Sequence, residues 1–450
     1  MSAAVKAVGS DYIEDQRREF FLYTISSRAI PAITDGLKPS GRRVLWTGRN
    51  GEKYKTATLA GATMPIHPHA SPDDAINTLA APFGNNIPLF TGIGAFGTMV
   101  LPNSYGASRY TSVKVSDFTK DVVFKDIEII PMQSNYDDTL EEPKHFLPLI
   151  PIALLNPTFG IAGGFSCNIL PRDLGDIVTE QIKFLEKREK AIVEDKLPRF
   201  NPTNSVSHLK YEDPKSGNMR FVFNGTYERI NGSSVRITKL PYGVTHSKFT
   251  DHLSKLEEQY HIASFDDFSK DAINIVVRLG RGSVDNMSEQ DMLKLLGLTN
   301  TESEIMNLLD FDGTSILNTN FPDVIKNFTS WRLGYYVNRY ERLLRLLEEE
   351  MQRYRDIIKA IASNVGGVAK KTKSRGELIE FLEAVEIVNT DYIANLPVYR
   401  FTDDERIKVE TKLVEAAEKK KEYLDILSSS ERRTKIYISE LKEVLKKYGK

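Results

Sequence analysis

Apolar residues recur at helical spacing near the end of the chain. They lie three or four positions apart in one continuous stripe formed by Tyr336, Tyr340, Leu343, Leu347, Met351, Tyr354, Ile358 and Ile361. Such a stripe indicates an amphipathic helix that packs one face against another element. We therefore predict one long helix here, and we expect the pair Gly366-Gly367 to end it.

A second helical stretch follows, and it begins at a predicted capping box, Thr402-x-x-Glu405. Apolar positions continue the pattern towards Tyr448. Two long amphipathic helices in succession can fold back on each other as an antiparallel coiled-coil arm with a small globule at the bend. Core packing alone would also explain both stripes. Their length and charged flanks favour the arm, which we place at residues 325–450.

Three further regions precede this arm. Residues 1–25 begin as a polar arm and run into a helix with periodic apolar residues. Residues 26–172 are rich in glycine and proline, which predicts a compact domain of short helices and strands. In residues 173–324 a helix capped by Asp173 is followed by alternating segments, as at Arg220–Asn224, that predict antiparallel hairpins. The predicted fold class is multidomain α+β.

Length and composition are typical of a multidomain protein with well-formed cores. The chain has 450 residues, of which 41% are hydrophobic and 27% are charged. It contains neither an apolar run long enough to cross a bilayer nor the apolar core of a signal peptide, so we expect no membrane segment. Its only cysteine, Cys167, cannot form an internal disulfide. We therefore expect a reducing compartment and a cytoplasmic location.

The net charge of −1 does not suggest a nucleic-acid-binding protein, but the distribution of charge does. The segment from Arg28 to Lys55 contains seven basic residues and only two acidic ones, Asp35 and Glu52. A local basic patch can follow a phosphate backbone whatever the total charge of the chain. A solvated surface face is the alternative explanation.

Arg109-Tyr110 is a candidate for attack on a phosphodiester. A phenol has a pKa of about 10, so it is a weak nucleophile near neutral pH unless a cation or a base helps it to ionise. An adjacent guanidinium can stabilise the phenolate and hold the oxygens of a phosphate. The dipeptide alone is a weak signal, because an ordinary half-exposed strand residue would show the same pattern.

Three other motifs suggest different chemistry. Gly92–Gly97 matches the dinucleotide pattern G-x-G-x-x-G, but no helix clearly follows it. Asp310 begins an Asp-x-Asp-Gly-Thr segment that resembles the nucleophile loop of haloacid-dehalogenase-type phosphatases, although a hairpin turn explains it better. His67-Pro68-His69 offers two metal ligands, but no other cluster completes a site, so donation to phosphate is the better interpretation. We also expect a short helix to start at Pro72.

Six blocks of residues follow one another in a distinctive order. They are Ser27–Pro31 with Asp35–Pro39 and Arg42–Leu45, then His67–His69, Gly92–Gly97, Arg109–Thr111, Asn135–Pro143 and Gly160–Gly175. Together they resemble the signatures of one family, the DNA breakage–reunion (gyrase A-like) subunit of type IIA DNA topoisomerases. Arg109-Tyr110-Thr111 resembles the active-site motif of that family. Gly92–Gly97 resembles its G-x-G-x-F-G motif, which accounts for the apparent nucleotide loop.

The resemblance implies a fold and a set of partners. It implies a winged-helix (catabolite-activator-like) DNA-gate domain at residues 26–172, a tower domain at 173–324, and a coiled-coil arm whose terminal globule dimerises as the C-gate. The layout resembles that of the medium subunit of phage topoisomerases, which implies a location in the cytoplasm of a host cell. It further implies a homodimer that acts on double-stranded DNA. Mg²⁺ would be held mainly, and ATP bound, by a separate ATPase/TOPRIM subunit.

The resemblance also implies a mechanism. Each Tyr110 would attack one DNA strand and form a 5′-phosphotyrosyl link, a second duplex would pass, and the break would be resealed. Arg109 would stabilise the phosphate in the transition state. Ile169 would be an apolar wedge between base pairs. The phosphates near the scissile bond would be held by Arg28, Lys38, Arg42, Arg43, His67 and His69.

Two departures from the family pattern and two alternatives stand beside this prediction. Ala70 replaces the glycine that follows His-Pro-His, and the serine and acidic pair that bridges quinolone drugs is not reproduced, which puts sensitivity to those drugs in doubt. One alternative is a catalytically silent DNA-binding scaffold with the same fold. The other is a phosphatase whose nucleophile is Asp310.

Overall fold

The computed structural model describes residues 23–68 and 71–449, and the elements of its N-terminal part are short. A π-helical turn at Ile25–Ala29 is followed by three helices, α1 (Pro39–Thr47), α2 (Thr56–Thr63) and α3 (Pro72–Ala80). Helix α3 begins at Pro72, as predicted. The strands of this part are β1 (Tyr54–Lys55), β2 (Phe90–Ile93), β3 (Ser112–Val115), β4 (Met132–Ser134), β5 (Glu141–Pro143), β6 (Thr158–Ala162) and β7 (Phe165–Ile169).

All the pairings among these strands are antiparallel. Strand β3 lies between β1 and β2, with Lys55 opposite Ser112 and Phe90 opposite Val115. Strands β4 and β5 form one hairpin and β6 and β7 form another. Single helical turns connect these elements and those that follow, at Thr119–Val123, Ile127–Ile129, Ile152–Leu154, Arg188–Lys190, Asn201–Thr203 and Val398–Phe401.

The middle part begins with helix α4 (Leu174–Lys187), whose N-cap Asp173 accepts a hydrogen bond from Gly175 N, as expected. Ten strands follow: β8 (Arg199–Phe200), β9 (Ser205–Glu212), β10 (Met219–Asn224), β11 (Thr226–Asn231), β12 (Ser234–Lys239), β13 (Ser264–Asp267), β14 (Ile275–Arg278), β15 (Thr299–Glu304), β16 (Asn307–Leu309) and β17 (Ile316–Asn318). They form two four-stranded antiparallel sheets, in the orders β15-β10-β9-β8 and β11-β12-β14-β13, and a hairpin of β16 and β17. The helices between them are α5 (His246–Glu258), α6 (Ser283–Asn286) and α7 (Glu289–Leu295).

The remainder is helical and contains the long helix that the apolar stripe predicts. The helices are α8 (Phe321–Ala362), α9 (Val365–Ala369), α10 (Arg375–Ala384), α11 (Thr390–Ala394), α12 (Asp403–Ser428) and α13 (Ser430–Tyr448). The chain divides into two compact units, one formed by residues up to Arg332 together with Ile438 onward, and one formed by Leu333–Tyr437. Within the first unit, Lys447 and Tyr448 of α13 both hydrogen-bond the carboxylate of Asp121.

Two predicted boundary signals were wrong in their detail. The glycine pair does not end α8, because Asn364 does so with a left-handed φ of 52°, and Gly366-Gly367 lie inside α9. Helix α12 does begin after Thr402, but the capping box does not form. The Thr402 hydroxyl donates to Tyr399 O, and Glu405 instead forms ion pairs with Arg400 and Lys408.

In the second unit, α8 and α12 pack along each other in opposite directions. Tyr340 contacts Tyr423, with ring centroids 5.5 Å apart, while Leu347 and Met351 contact Ala416 further along both helices. Beyond these contacts a small core forms from Ile357, Ala360, Val365, Leu382, Ile387, Ile393 and Val409. The predicted α+β class, with antiparallel sheets and a long helix, is confirmed. The predicted N-terminal helix of residues 1–25 lies mostly outside the described residues.

Among residues 23–68 and 71–449, every helix is too short or too polar to cross a bilayer.

A buried ion pair holds the N-terminal part together. The Asp35 carboxylate accepts hydrogen bonds from Arg42 Nε at 2.7 Å and Arg42 Nη2 at 2.9 Å. It also accepts hydrogen bonds from the backbone N–H of Leu37 at 3.1 Å and of Phe146 at 3.0 Å. One carboxylate therefore joins the segment before α1, α1 itself and a segment more than a hundred residues later.

We expect Asp35→Asn to lower the free energy of unfolding of this unit by about 3–5 kcal/mol, because it leaves the Arg42 charge buried and unpaired. Urea unfolding followed by tryptophan fluorescence measures this, since both tryptophans, Trp46 and Trp331, lie in the same unit. Asp117→Asn is the matched control. It removes an exposed ion pair with Lys120 and should cost less than about 1 kcal/mol. Equal effects of the two variants would contradict the assignment.

Candidate functional site

Tyr110 lies in a turn immediately before β3, and 71% of its surface is exposed. Hydrogen bonds fasten this turn to α2 on both sides of Tyr110. Thr56 N donates to Thr111 O at 3.1 Å, and Ala57 N donates to Ser108 O at 3.2 Å. The hydroxyls of Thr56 and Thr111, both buried, also share a hydrogen bond of 2.8 Å. The backbone on either side of the phenol is therefore fixed while the phenol itself stays open to solvent.

Two cations lie next to Tyr110. The Arg109 guanidinium carbon is 4.9 Å from the centre of the Tyr110 ring, within cation–π range. Lys55 Nζ donates to the Tyr110 carbonyl at 3.2 Å. Arg109 and Lys55 are both exposed, so a phosphate placed at the phenol could contact either.

Arg28 and Lys38 line one cavity of about 400 Å³, together with Ser71, Asp74 and Phe159 among others. Lys38 Nζ donates to Phe159 O at 2.8 Å, and partial burial holds the pKa of this ammonium below its usual value. Arg28 is exposed at the end of the π-helical turn. These two predicted phosphate-binding residues are therefore brought together by the fold.

Arg42 and Arg43 are placed differently from their neighbours. Arg42 is buried, and its guanidinium is held by Asp35 and Leu37 O, so the expectation that it binds phosphate is corrected to a structural role. Arg43 donates to both carboxylate oxygens of Glu142, at 2.5 Å and 3.0 Å. Arg43 would have to exchange Glu142 for a phosphate in order to bind DNA.

His67 is largely buried between two tyrosines. Its Nε2 shares a hydrogen bond of 3.1 Å with the Tyr23 hydroxyl, and its ring lies edge-on to Tyr136 at 5.5 Å. His69 lies outside the described residues. Sequence reasoning missed both tyrosines, although Tyr136 belongs to one of the motif blocks. In the part of the chain that the structure describes, no three His, Cys, Asp or Glu side chains group as metal ligands.

Ile169 does not occupy an exposed position. It is fully buried at the end of β7, so this structure does not present it as a wedge. The most exposed apolar residues of this hairpin lie instead on β6, where Phe159 and Ile161 are 64% and 68% exposed. The alternation of side chains along the two strands separates the two isoleucines.

Two of the three motifs that suggested other chemistry have structural explanations in this fold. In Gly92–Gly97, Gly97 has a φ of 91°, and a Cβ at this position would lie 2.2 Å from Pro102 O, so the glycine is needed for a close backbone approach. The Asp310 carboxylate accepts hydrogen bonds from Thr314 N at 2.8 Å and from Ser315 Oγ at 2.6 Å. Partial burial alone would raise the pKa of Asp310, but these hydrogen bonds hold it below its usual value. Asp310 is thus a turn cap rather than a free nucleophile.

The chain is similar in sequence to A subunits of DNA gyrase and to a phage topoisomerase subunit. The family model for the A subunit of DNA gyrase/topoisomerase IV matches residues 28–442. The chain is 26% identical to the DNA topoisomerase medium subunit of Enterobacteria phage T4, over 96% of this chain and 97% of the phage protein. It is 28% identical to the DNA gyrase A subunit of Mycolicibacterium smegmatis, over 98% of this chain and 56% of that protein. It is 31% identical to the DNA gyrase A subunit of Thermotoga maritima, over 64% of this chain and 39% of that protein.

The chain therefore spans nearly all of the phage relative and about half of the M. smegmatis gyrase protein. The family model covers most of the chain and includes every described motif block from Arg28 onward. The chain belongs to the family of DNA gyrase/topoisomerase IV A subunits, which confirms the family recognised from its motifs and the predicted class of function, the DNA breakage–reunion subunit of a type II DNA topoisomerase.

Proposed function

We propose that this chain cleaves and reseals duplex DNA through Tyr110. The observation that carries the proposal is an exposed phenol in a turn that hydrogen bonds fasten on both sides, with the Arg109 guanidinium over its ring. The phenol oxygen forms a bond to phosphorus, and the bond from phosphorus to the 3′ oxygen breaks. The phenol proton departs and the 3′ oxygen gains one. The product is a 5′-phosphotyrosyl link, and the reverse reaction reseals the strand.

The basic side chains divide into two proposed roles. Arg109 stabilises the charge on the phosphate in the transition state, where pre-positioned cations contribute most. Arg28 and Lys38, together at one cavity, contact the DNA backbone. The family pattern implies phosphate contacts for His67 and His69 as well, and Arg43 would contribute one by leaving Glu142. Arg42 does not take part in this DNA-binding surface, because its guanidinium is buried in the ion pair with Asp35.

We assign the role of the apolar wedge between base pairs to Ile161 instead of Ile169. An intercalating side chain has to be exposed before it meets DNA, and unstacking a base step costs a few kcal/mol that an apolar surface must offset. Ile161 has that exposure on β6, while Ile169 is in the core.

We further propose the domain roles that the family pattern implies. Residues 26–172 act as a winged-helix DNA gate, residues 173–324 as a tower, and residues 325–450 as a coiled-coil arm ending in a C-gate that joins two copies. Type II topoisomerases generally need Mg²⁺ and ATP. The family pattern implies that a separate ATPase/TOPRIM chain would hold most of the Mg²⁺ as well as the ATP.

Tyr110→Phe should abolish covalent DNA linkage, because the variant lacks the nucleophilic oxygen. The assay combines end-labelled duplex, Mg²⁺ and the partner ATPase/TOPRIM chain, then adds denaturant and measures protein-linked DNA. Tyr105→Phe, which removes a hydroxyl five residues away, should keep the adduct. An adduct retained in Tyr110→Phe would refute the assignment. If the wild type binds DNA beside a competent partner and yields no adduct, the chain is the silent scaffold.

Thr111→Val should lower adduct formation by about 10- to 100-fold, because loss of the hydroxyl pair with Thr56 lets the Tyr110 turn shift. Thr111→Ser keeps the hydroxyl and should remain close to wild type. DNA binding is measured in parallel by electrophoretic mobility shift. If binding falls as far as adduct formation in Thr111→Val, the hydroxyl pair supports the fold in general rather than the turn.

Ile161→Ala and Ile169→Ala should have opposite consequences. Ile161→Ala should reduce DNA bending and cleavage while changing the free energy of unfolding by less than about 0.5 kcal/mol. Ile169→Ala should cost about 2–5 kcal/mol of stability, because it opens a cavity in the core. Fluorescence energy transfer between labelled duplex ends measures bending, and urea unfolding measures stability. Full bending by Ile161→Ala would contradict the reassignment.

A further inference from the structure

The hairpin of β6 and β7 has one face against the protein and one face towards solvent. A Cβ at Gly160 would lie 2.1 Å from Ala29 O, so the backbone of β6 is pressed directly against the π-helical turn that carries Arg28. Cys167, opposite Gly160, is buried on that same face and donates to Ala29 O. Because successive side chains alternate across a strand, Phe159 and Ile161 project from the other face.

The solvent face combines an aromatic ring, an aliphatic side chain and small polar neighbours. Phe159 and Ile161 are 64% and 68% exposed. The residues directly opposite them are Asn168 and Ser166. Two large apolar side chains two positions apart on one open face form an exposed apolar patch, and such a patch is a candidate binding surface.

Positive charge lies beside this face. Lys38 Nζ donates a hydrogen bond to the backbone carbonyl of Phe159, and Arg28 and Phe159 line the same cavity. A partner with anionic groups next to flat apolar surfaces fits this combination. Nucleic acid offers both, since phosphates pair with the cations and the bases or sugars contact the ring.

The spacing also matches a duplex. Residues two apart on a strand are separated by about 6.6 Å. Two base-pair steps of DNA rise by about 6.8 Å. If Ile161 enters one base step, Phe159 can therefore reach a base or deoxyribose within about two base pairs of it.

We propose that Phe159 contacts DNA next to the step opened by Ile161 and is a specificity-determining residue that selects which base steps are cleaved. This inference rests on the proposed function, because it takes the hairpin to face the cleaved duplex. Phe159 acts by stacking on or pressing against the flanking nucleotide, which favours those steps that unstack and re-stack most readily. It has no role in the phosphoryl transfer itself.

The first test maps cleavage sites on a pool of duplexes with randomised sequence, using the chain with its partner and Mg²⁺. Site preference is a ratio within each reaction, so it does not depend on total activity. Phe159→Ser should lower the preference for the favoured bases within two base pairs of the wedge by at least about fivefold. Phe159→Tyr, which keeps the ring, should restore it.

Phe165→Ser is the matched control. Phe165 is another exposed aromatic residue of the same hairpin, but it pairs with Ala162 and projects from the face of Gly160 and Cys167. Its replacement should leave the preference as in the wild type. Equal changes in Phe159→Ser and Phe165→Ser, or no change in Phe159→Ser, would overturn the proposal.

A second test does not require cleavage. In the Tyr110→Phe background, duplexes with 2-aminopurine at successive positions report unstacking by a rise in fluorescence on binding. Phe159→Ser should reduce the rise at positions flanking the wedge, while Phe165→Ser should not. A failure of Tyr110 as nucleophile would appear in the adduct assay alone and leave this signal intact. If Phe159→Ser instead weakens association with the partner chain and leaves the 2-aminopurine signal unchanged, the face binds protein and the proposal fails.

Discussion

The carboxylate of Asp35 is the constraint on which the N-terminal part depends. A buried charge is costly unless it is paired and hydrogen-bonded, and this carboxylate meets that condition with four hydrogen bonds from Arg42, Leu37 and Phe146. Since the donors come from three separate segments, the segments cannot move independently. Lys38 and Arg43 flank this arrangement, so the ion pair determines where their side chains emerge.

The same motif therefore contains cations of two kinds. The Arg42 guanidinium is buried in the ion pair with Asp35 and stabilises the fold. Arg28 and Lys38 instead line a cavity, where they can contact an anion. Arg43 lies between these cases, since its Glu142 partner is largely buried yet could be exchanged for a phosphate. A chain with a net charge of −1 can present a local anion-binding surface in this way, because its acidic residues balance it elsewhere.

The sequence alone predicted the helices, the antiparallel hairpins and the family, because periodicity and ordered motifs are local signals. It did not predict the interaction partners of individual side chains. Nothing in the sequence of Arg42-Arg43 tells which guanidinium turns inward towards Asp35. Ile161 and Ile169 are equally apolar, and only the close approach of Gly160 to Ala29 decides which face of the hairpin is open. Helix α8 ends before the glycine pair at 366–367, because Asn364 adopts the left-handed conformation two residues earlier.

The proposed chemistry explains why so much of this structure serves positioning. In the proposed reaction, exchange of one phosphodiester for another at Tyr110 is nearly balanced in bond energy, so the protein need not supply a large driving force to reseal the strand. It must instead hold the phenol, the phosphate and the freed end in register, since small displacements of reacting groups cost large factors in rate. The hydrogen bonds from Thr56 and Ala57 to the Tyr110 turn and the contact of Gly160 with Ala29 meet that need. They fix the backbone directly, which leaves the exposed side chains of Tyr110, Ile161 and Phe159 accessible for the contacts that we propose with the duplex.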